Sequence, residues 1–94
     1  MEAFDGKIFD IHQLKIGDKY KKLDKELHHI VNLFEDPDTE EMIITTKWYS
    51  KYKQAWYYNT MPLWLELYNI CLLYNLTKPE RKKLYKLNGL TYEH

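Results

Sequence analysis

The sequence predicts a small α+β protein, in which an antiparallel, barrel-like sheet is followed by a C-terminal two-helix hairpin. Residues 42–49 and 54–58 are rich in β-branched and aromatic side chains, which are typical of strands. After Thr60, apolar residues recur at helical spacing instead, and a helix-capping sequence begins at Thr77. Because 94 residues is the length of one domain, we expect a single domain, mainly β over 1–60 and helical over 61–90.

The first third of the chain has a weak strand pattern. Residues 4–8 place an Asp-Gly turn between short apolar pieces, which predicts a small hairpin or an N-terminal arm. Residues 14–18 contain a glycine turn at the start of a strand, and residues 19–23 alternate weakly between polar and apolar. A polar turn at residues 24–26 is expected before the next strand.

Three further segments complete the predicted meander. Residues 27–34 form a strand candidate whose alternation is mixed, and Pro37 is placed to pre-set the turn that follows. In residues 42–49 the even-numbered side chains share one face of a strand and the odd-numbered ones share the other. Residues 54–58 return as a strand, and their alternation places on one face Gln54, Trp56 and Tyr58.

Residues 63–76 predict a helix that is apolar around much of its circumference. Pro62 precedes it, at a position where the first turn of a helix tolerates proline. The sheet can cover only one side of such a helix, so the rest is covered by the second helix or shared with another chain. We favour a two-fold homodimer through residues 61–76, with a compact monomer as the alternative.

A capping box marks the start of the second helix. In the segment Thr77-Lys-Pro-Glu80 the threonine and the glutamate are three residues apart, and a proline stands in the first turn. Asn88-Gly89 is a typical helix end, and three lysines lie near the negative end of the helix dipole.

Composition excludes several classes of function. The formal net charge is zero, which argues against a general DNA-coating protein because such a protein depends on a large positive charge. Cys71 is the only cysteine, so no disulfide and no Cys-based zinc site can form within the chain, which favours a cytoplasmic location. We expect no membrane role, because residues 63–76 are too short to span a bilayer and no lipidation motif is present.

Several short motifs between residues 19 and 67 follow the order of a known pattern. They are Tyr20-Lys21, the segment Thr39-Glu-Glu-Met-Ile-Ile44, Tyr52, Trp56 and Met61-Pro-Leu-Trp64. Together they resemble the domain of unknown function 1653 family of small bacterial and phage domains. The resemblance implies a half-open, SH3-like β-barrel, and it implies no activity.

The most informative segment is residues 47–58, KWYSKYKQAWYY, in which six of twelve residues are aromatic, three are lysine and none is acidic. So many rings exceed what a small core can bury, and exposed Trp and Tyr beside cations are typical of a binding surface. The alternative is that the rings fill the core and the helices shield the remainder. The candidate binding residues are Lys47, Trp48, Tyr49, Lys51, Tyr52, Lys53, Trp56 and Tyr58.

No pattern in the chain predicts an enzyme, a metal site or a cofactor. Residues 35–41 hold five carboxylates, but they lack the calcium-loop pattern and favour a solvated turn. His28 and His29 are neighbours on a strand and point to opposite faces, so they are a poor chelating pair, and we expect both at the surface or half-buried. Cys71 lies between apolar helix residues without an evident base, which predicts a buried, inert thiol.

Three binding functions remain open. The first is a phage or mobile-element accessory protein that binds and inhibits a host defence or replication protein, an origin favoured by the abundance of residues with AT-rich codons such as Lys and Tyr. The second is a nucleic-acid-binding β module, in which lysines of residues 47–58 contact phosphates and the rings stack on bases. The third is an oligomeric sponge that holds a nucleotide signal between subunits.

Overall fold

The computed structural model describes residues 3–4, 13–22 and 26–92. Within these ranges the backbone forms five strands and two helices. They are β1 (Ala3–Phe4), β2 (Lys19–Lys21), β3 (Leu27–Glu35), β4 (Met42–Ser50), β5 (Ala55–Pro62), α1 (Leu63–Leu73) and α2 (Lys78–Leu87). The predicted α+β class, an antiparallel sheet followed by a two-helix hairpin, is confirmed.

The strands form one sheet in the order β1-β2-β3-β4-β5. The short β1 runs parallel to β2, and every other neighbouring pair is antiparallel. Because β1 and β5 lie at opposite edges, the described sheet is open, and the SH3-like detail stays a prediction. The turn expected after Phe4 and most of the turn expected at 24–26 lie outside the described residues.

A β-bulge in β3 explains the mixed alternation of residues 27–34. Ile30 pairs with Thr46, whereas Asn32 pairs with Thr45, so Val31 is an extra residue on β3. Even-numbered residues of β3 are buried before the bulge and exposed after it. The strand therefore changes its phase halfway, and a single period of two cannot describe the whole segment.

The two helices follow the sheet, and α1 covers one of its faces, here termed the inner face. α1 packs against β4 and β5 and also contacts α2. The even-numbered residues of β4 share one face, as their alternation predicted, and this face contributes Ile44 and Thr46 to the buried side. The opposite face, termed the outer face, carries exposed side chains. The hydrophobic core consists of Leu14, Tyr20, Ile30, Ile44, Leu63, Leu67, Ile70, Cys71, Leu76, Leu84 and Tyr85.

Caps define the ends of the helical hairpin. The Thr77 hydroxyl accepts a hydrogen bond from the Glu80 backbone N–H, and the Glu80 carboxylate accepts one from the Thr77 N–H at 2.8 Å, so the predicted capping box is confirmed. Asn75 and Gly89 follow α1 and α2 in the left-handed conformation, with φ of 52° and 77°. Left-handed residues at these positions stop a helix and turn the chain back.

Glu66 of α1 is completely buried. Its Oε2 accepts a hydrogen bond of 2.7 Å from the Tyr20 hydroxyl, and its Oε1 lies 3.0 Å from Lys22 Nζ. Burial raises the pKa of the Tyr20 hydroxyl, and the charge of Glu66 raises it further, so Tyr20 remains a donor. A buried carboxylate is tolerated only when it is paired, so this contact fixes α1 to the end of β2.

Candidate functional site

Pairing between β4 and β5 assembles part of the aromatic and lysine segment on the outer face. Lys47 lies opposite Tyr58, and Tyr49 lies opposite Trp56. Tyr58 is 63% exposed, Trp56 49% and Tyr49 38%, although all three lie within regular strands of the sheet. Such exposure of three large rings on one face is unusual unless the face contacts something.

The indole of Trp56 is the centre of these contacts. Its ring lies 5.4 Å from the ring of Tyr49 and 5.7 Å from the ring of His29, between centroids, with edge-to-face tilts. Lys47 Nζ stands 4.9 Å from the centroid of the same indole, within cation–π range. We term this group the outer cluster; it comprises His29, Lys47, Tyr49, Trp56 and Tyr58.

Electrostatics at the outer cluster are positive. Lys19 pairs with His29, which in turn pairs with Lys47, so the imidazole stands between two lysines. Partial burial lowers the pKa of His29, and the charges of Lys19 and Lys47 lower it further. Partial burial, together with the same charges that would attract an anion, therefore favours the neutral form of His29.

Charge is segregated along the length of the sheet. The outward-facing strand positions of β2 and β4 carry three lysines, and no outward-facing strand position in the described sheet is Asp or Glu. Five carboxylates lie instead in residues 35–41, at the opposite end of β4 from the turn that leads to β5. The outer face of the described sheet is therefore basic, whereas the connection between β3 and β4 is acidic.

The structure separates the eight predicted binding residues into three places. Lys47, Tyr49, Trp56 and Tyr58 come together in the outer cluster. Trp48 lies on the inner face, where its ring stacks 5.2 Å from the ring of Tyr57, so it is not part of that surface.

The other three predicted residues form the turn between β4 and β5. This turn, residues 51–54, is termed the hairpin tip and consists of Lys51, Tyr52, Lys53 and Gln54. Gln54 was expected on the strand beside Trp56, but its φ of 52° closes the turn and β5 begins one residue later. Tyr52 is 93% exposed.

Sequence reasoning missed His29 as a member of the outer cluster. It joins the cluster through the pairing of β3 with β4, which the mixed alternation of β3 obscured. The prediction that His28 and His29 point to opposite faces is confirmed. The expectation that both are surface or half-buried is wrong for His28, which is 2% exposed and lies between the rings of Tyr20 and Trp48.

A cleft of about 480 Å³ lies at the acidic end, where the β3–β4 connection meets the helical hairpin. We term it the end cleft. Glu40 has a φ of 60°, a left-handed conformation that is held by hydrogen bonds within residues 36–41. The lining residues are Glu40, Glu41, Met42, Trp64, Tyr85, Gly89, Leu90 and Thr91. Because the cleft has carboxylates and no lysine, it does not suit a phosphate.

The other groups considered from the sequence are the thiol of Cys71, possible metal ligands and possible membrane-spanning helices. Cys71 is buried as predicted, and burial raises the pKa of its thiol, which disfavours the thiolate. No three His, Cys, Asp or Glu side chains among the described residues are placed to hold a metal ion. Neither described helix has the length and apolar character needed to cross a bilayer.

No family model matches the chain, and no curated protein or solved structure shows significant similarity to it. The resemblance to the domain of unknown function 1653 family therefore stays a prediction.

Proposed function

We propose that this chain is a non-catalytic binding protein that holds a single-stranded nucleic acid on its outer cluster. The observation that carries the proposal is the combination on one uncovered sheet face of three exposed rings, two neighbouring lysines and no outward-facing carboxylate. Proteins that bind single strands combine these two elements, aromatic rings for the bases and a basic surface for the backbone.

The rings are spaced for successive bases. Trp56 and Tyr58 are two residues apart on β5, so they point to the same side and stand roughly 7 Å apart along the strand. Each presents a ring on which one base can stack, at about 1–3 kcal/mol per base. Tyr49 lies beside Trp56 and extends the platform onto β4.

The lysines supply the electrostatic part of binding. Lys19 and Lys47 flank His29 in a row across the sheet, and this row borders the rings. Each phosphate neutralised by a lysine releases counterions, so affinity falls as salt is added. With so few lysines on the face, we expect a shallow salt slope and no general coating of duplex DNA.

The test is a titration of a fluorescent thymidine oligonucleotide at low and moderate salt, with Trp56→Ala and Tyr58→Ala compared with Tyr57→Ala. Tyr57 lies between the two rings in sequence but points to the inner face, so it is the matched control. We expect each outer variant to lose about 5- to 150-fold in affinity, the equivalent of one stacked base. Absence of binding by the unmodified protein at low salt, or an equal loss in all three folded variants, would refute the proposal.

A second candidate is the inhibition of a host protein, as a phage or mobile-element accessory protein acting in the cytoplasm. It is favoured by a separate apolar stripe on α1, where Trp64, Tyr68 and Leu72 are exposed at successive turns. A protein partner, or a second copy in a two-fold dimer, would cover such a stripe.

The two candidates are separated by variants on different sides of the molecule. If a partner protein captured from a host lysate is lost with Leu72→Lys and retained with Trp56→Ala, the inhibitor function replaces the first proposal. The opposite pattern, with oligonucleotide binding lost only in Trp56→Ala, favours the nucleic acid. Native mass spectrometry followed by denaturation tests the nucleotide sponge, which requires a bound nucleotide to be released from an oligomer.

A further inference from the structure

We propose that copies of this chain associate head to tail, with Tyr52 of one hairpin tip entering the end cleft of the next copy. This association does not use the outer cluster, it shares only Trp64 and its neighbouring surface with the two-fold contact through residues 61–76, and it does not depend on the proposed function. The occupant of the cleft is a second copy, because two surfaces of this molecule are complementary in charge.

The hairpin tip is a shaped projection. Tyr52 is 93% exposed at its apex, between Lys51 and Lys53. The Lys53 N–H donates a hydrogen bond of 3.1 Å to Ser50 Oγ, and Gln54 is in the left-handed conformation that leads the chain into β5. The tip therefore presents an aromatic ring flanked by two ammonium groups.

The end cleft has the complementary chemistry. Its walls include Met42, Trp64 and Leu90, and its rim carries the carboxylates of Glu40 and Glu41. The hydroxyl of Tyr85 donates a hydrogen bond of 2.8 Å to the Trp64 carbonyl, which fixes the wall that the helices contribute. Its volume of about 480 Å³ lies within the roughly 300–1,000 Å³ that is usual for ligand sites, so an aromatic ring can be accommodated.

Charge complementarity favours this occupant. The segment from Lys47 to Tyr58 has three lysines and no acid, whereas residues 35–41 have five carboxylates and no base. Insertion of Tyr52 would bring Lys51 and Lys53 against the acidic rim and bury apolar surface at the same time. Opposite charges across an interface also set its orientation, since tip against tip or cleft against cleft would be repelled.

The tip cannot occupy the cleft of its own chain. β4 runs from Met42 at the cleft to Ser50 at the tip, and eight strand steps span about 26 Å. The contact is therefore between molecules. Because it joins two different surfaces, each copy keeps a free tip and a free cleft, and assembly continues as an open chain or closes as a ring.

The test measures mass in solution by sedimentation and light scattering at low and high salt. We expect the mass of the unmodified protein to rise with concentration at low salt and to fall towards one chain at high salt, where charges are screened. Two variants each remove one surface: Tyr52→Ala with Lys51→Glu for the tip, and Glu40→Lys with Glu41→Lys for the cleft. Each variant alone should be a monomer.

Mixing the two variants gives the decisive result. The tip variant keeps an intact cleft and the cleft variant keeps an intact tip, so the mixture should form a dimer of one copy each and nothing larger. Tyr58→Ala, which changes the outer cluster alone, should assemble as the unmodified protein does. A monomer at low salt at every concentration, a dimer that persists in both single-surface variants, or a mixture that stays monomeric would overturn the proposal.

Discussion

The two faces of the sheet carry the same kinds of side chain with different surroundings. On the inner face a row of rings runs from Tyr20 through His28 and Trp48 to Tyr57, with centroid separations of 6.0, 5.7 and 5.2 Å. On the outer face a histidine, a tryptophan and two tyrosines also lie together, but no described helix packs over them. The type of a residue therefore does not tell whether it belongs to the core or to the exposed surface. Its position on the strand, facing the helices or facing away from them, does.

The aromatic segment of residues 47–58 contributes rings to both faces of the sheet. The inner row grades from Tyr20, fully buried, to Tyr57, 38% exposed, and links the core to the edge of the sheet. The side chains of the outer cluster contact one another, and the rest of their surface is exposed to solvent. We expect inner substitutions to lower the free energy of unfolding and outer ones to lower affinity, and matched neighbours on the two faces test this division.

Ile44 and Ile43 should show the largest contrast. Ile44 is fully buried on the inner face, so Ile44→Ala should cost about 2–5 kcal/mol in the free energy of unfolding. Ile43→Ala makes the same chemical change on the outer face, where the residue is half-buried, and should cost well under half as much. Urea denaturation of both variants gives the two values, and similar costs would remove the distinction between the faces.

Glu66 tests how the inner face is attached to α1. Glu66→Gln retains an acceptor for Tyr20 but leaves the Lys22 ammonium without its carboxylate, and we expect a loss of about 1–3 kcal/mol in stability. The exposed Glu35→Gln is the control and should change stability by no more than about 0.5 kcal/mol. Equal thermal midpoints for the two variants would show that the buried contact contributes nothing.

Trp48 and Trp56 belong to the same aromatic segment but lie on opposite faces of the sheet. Trp48→Ala removes ring contacts with His28 and Tyr57, and because Trp48 is only half-buried we expect a loss of about 2 kcal/mol, below the range for a fully buried tryptophan. Trp56→Ala should lower the free energy of unfolding by less than about 1 kcal/mol. Its main effect should be a lower affinity for the oligonucleotide. Denaturation and oligonucleotide binding are measured on the same samples. Equal changes in stability and in affinity for the two variants would contradict the prediction.

His28 and His29 give the smallest expected effect, a pH dependence of binding. Partial burial and the two neighbouring lysines lower the pKa of His29 in the free protein, and a bound phosphate would raise it. Binding is then coupled to the uptake of a proton by His29. Affinity should therefore increase a few-fold as the pH falls from neutrality through the pKa of His29 in the complex. It should level off once the pH is below the pKa of His29 in the free protein. His29→Asn should abolish this dependence, and folded His28→Asn should retain it; a pH profile unchanged by His29→Asn would contradict the prediction.

Much of the fold was predictable because its determinants are local in sequence. The capping box at Thr77 and Glu80, the β-branched run in β4 and the turn at Pro37 depend on residues within a few positions of one another. The shared outer face of Trp56 and Tyr58 followed from the period of two in the same way.

The rest depended on contacts between distant segments. The extra residue Val31 becomes visible only when β3 is paired with β4, and without that pairing His29 could not be placed beside Trp56. The sequence does not reveal that Glu66 is buried, because the partners that allow its burial lie more than forty residues earlier. Which face the helices cover is likewise a property of the assembled sheet.

The bulge at Val31 has a consequence for how this chain can change in length. A substitution at Val31 alters one side chain, whereas deleting its codon would remove the phase change and force one half of β3 to present its core residues to solvent. The coding sequence should therefore accept many replacements at this position and reject single-residue insertions and deletions throughout β3. The hairpin tip, which lies beyond the last strand pair, should accept replacements, insertions and deletions without loss of the fold.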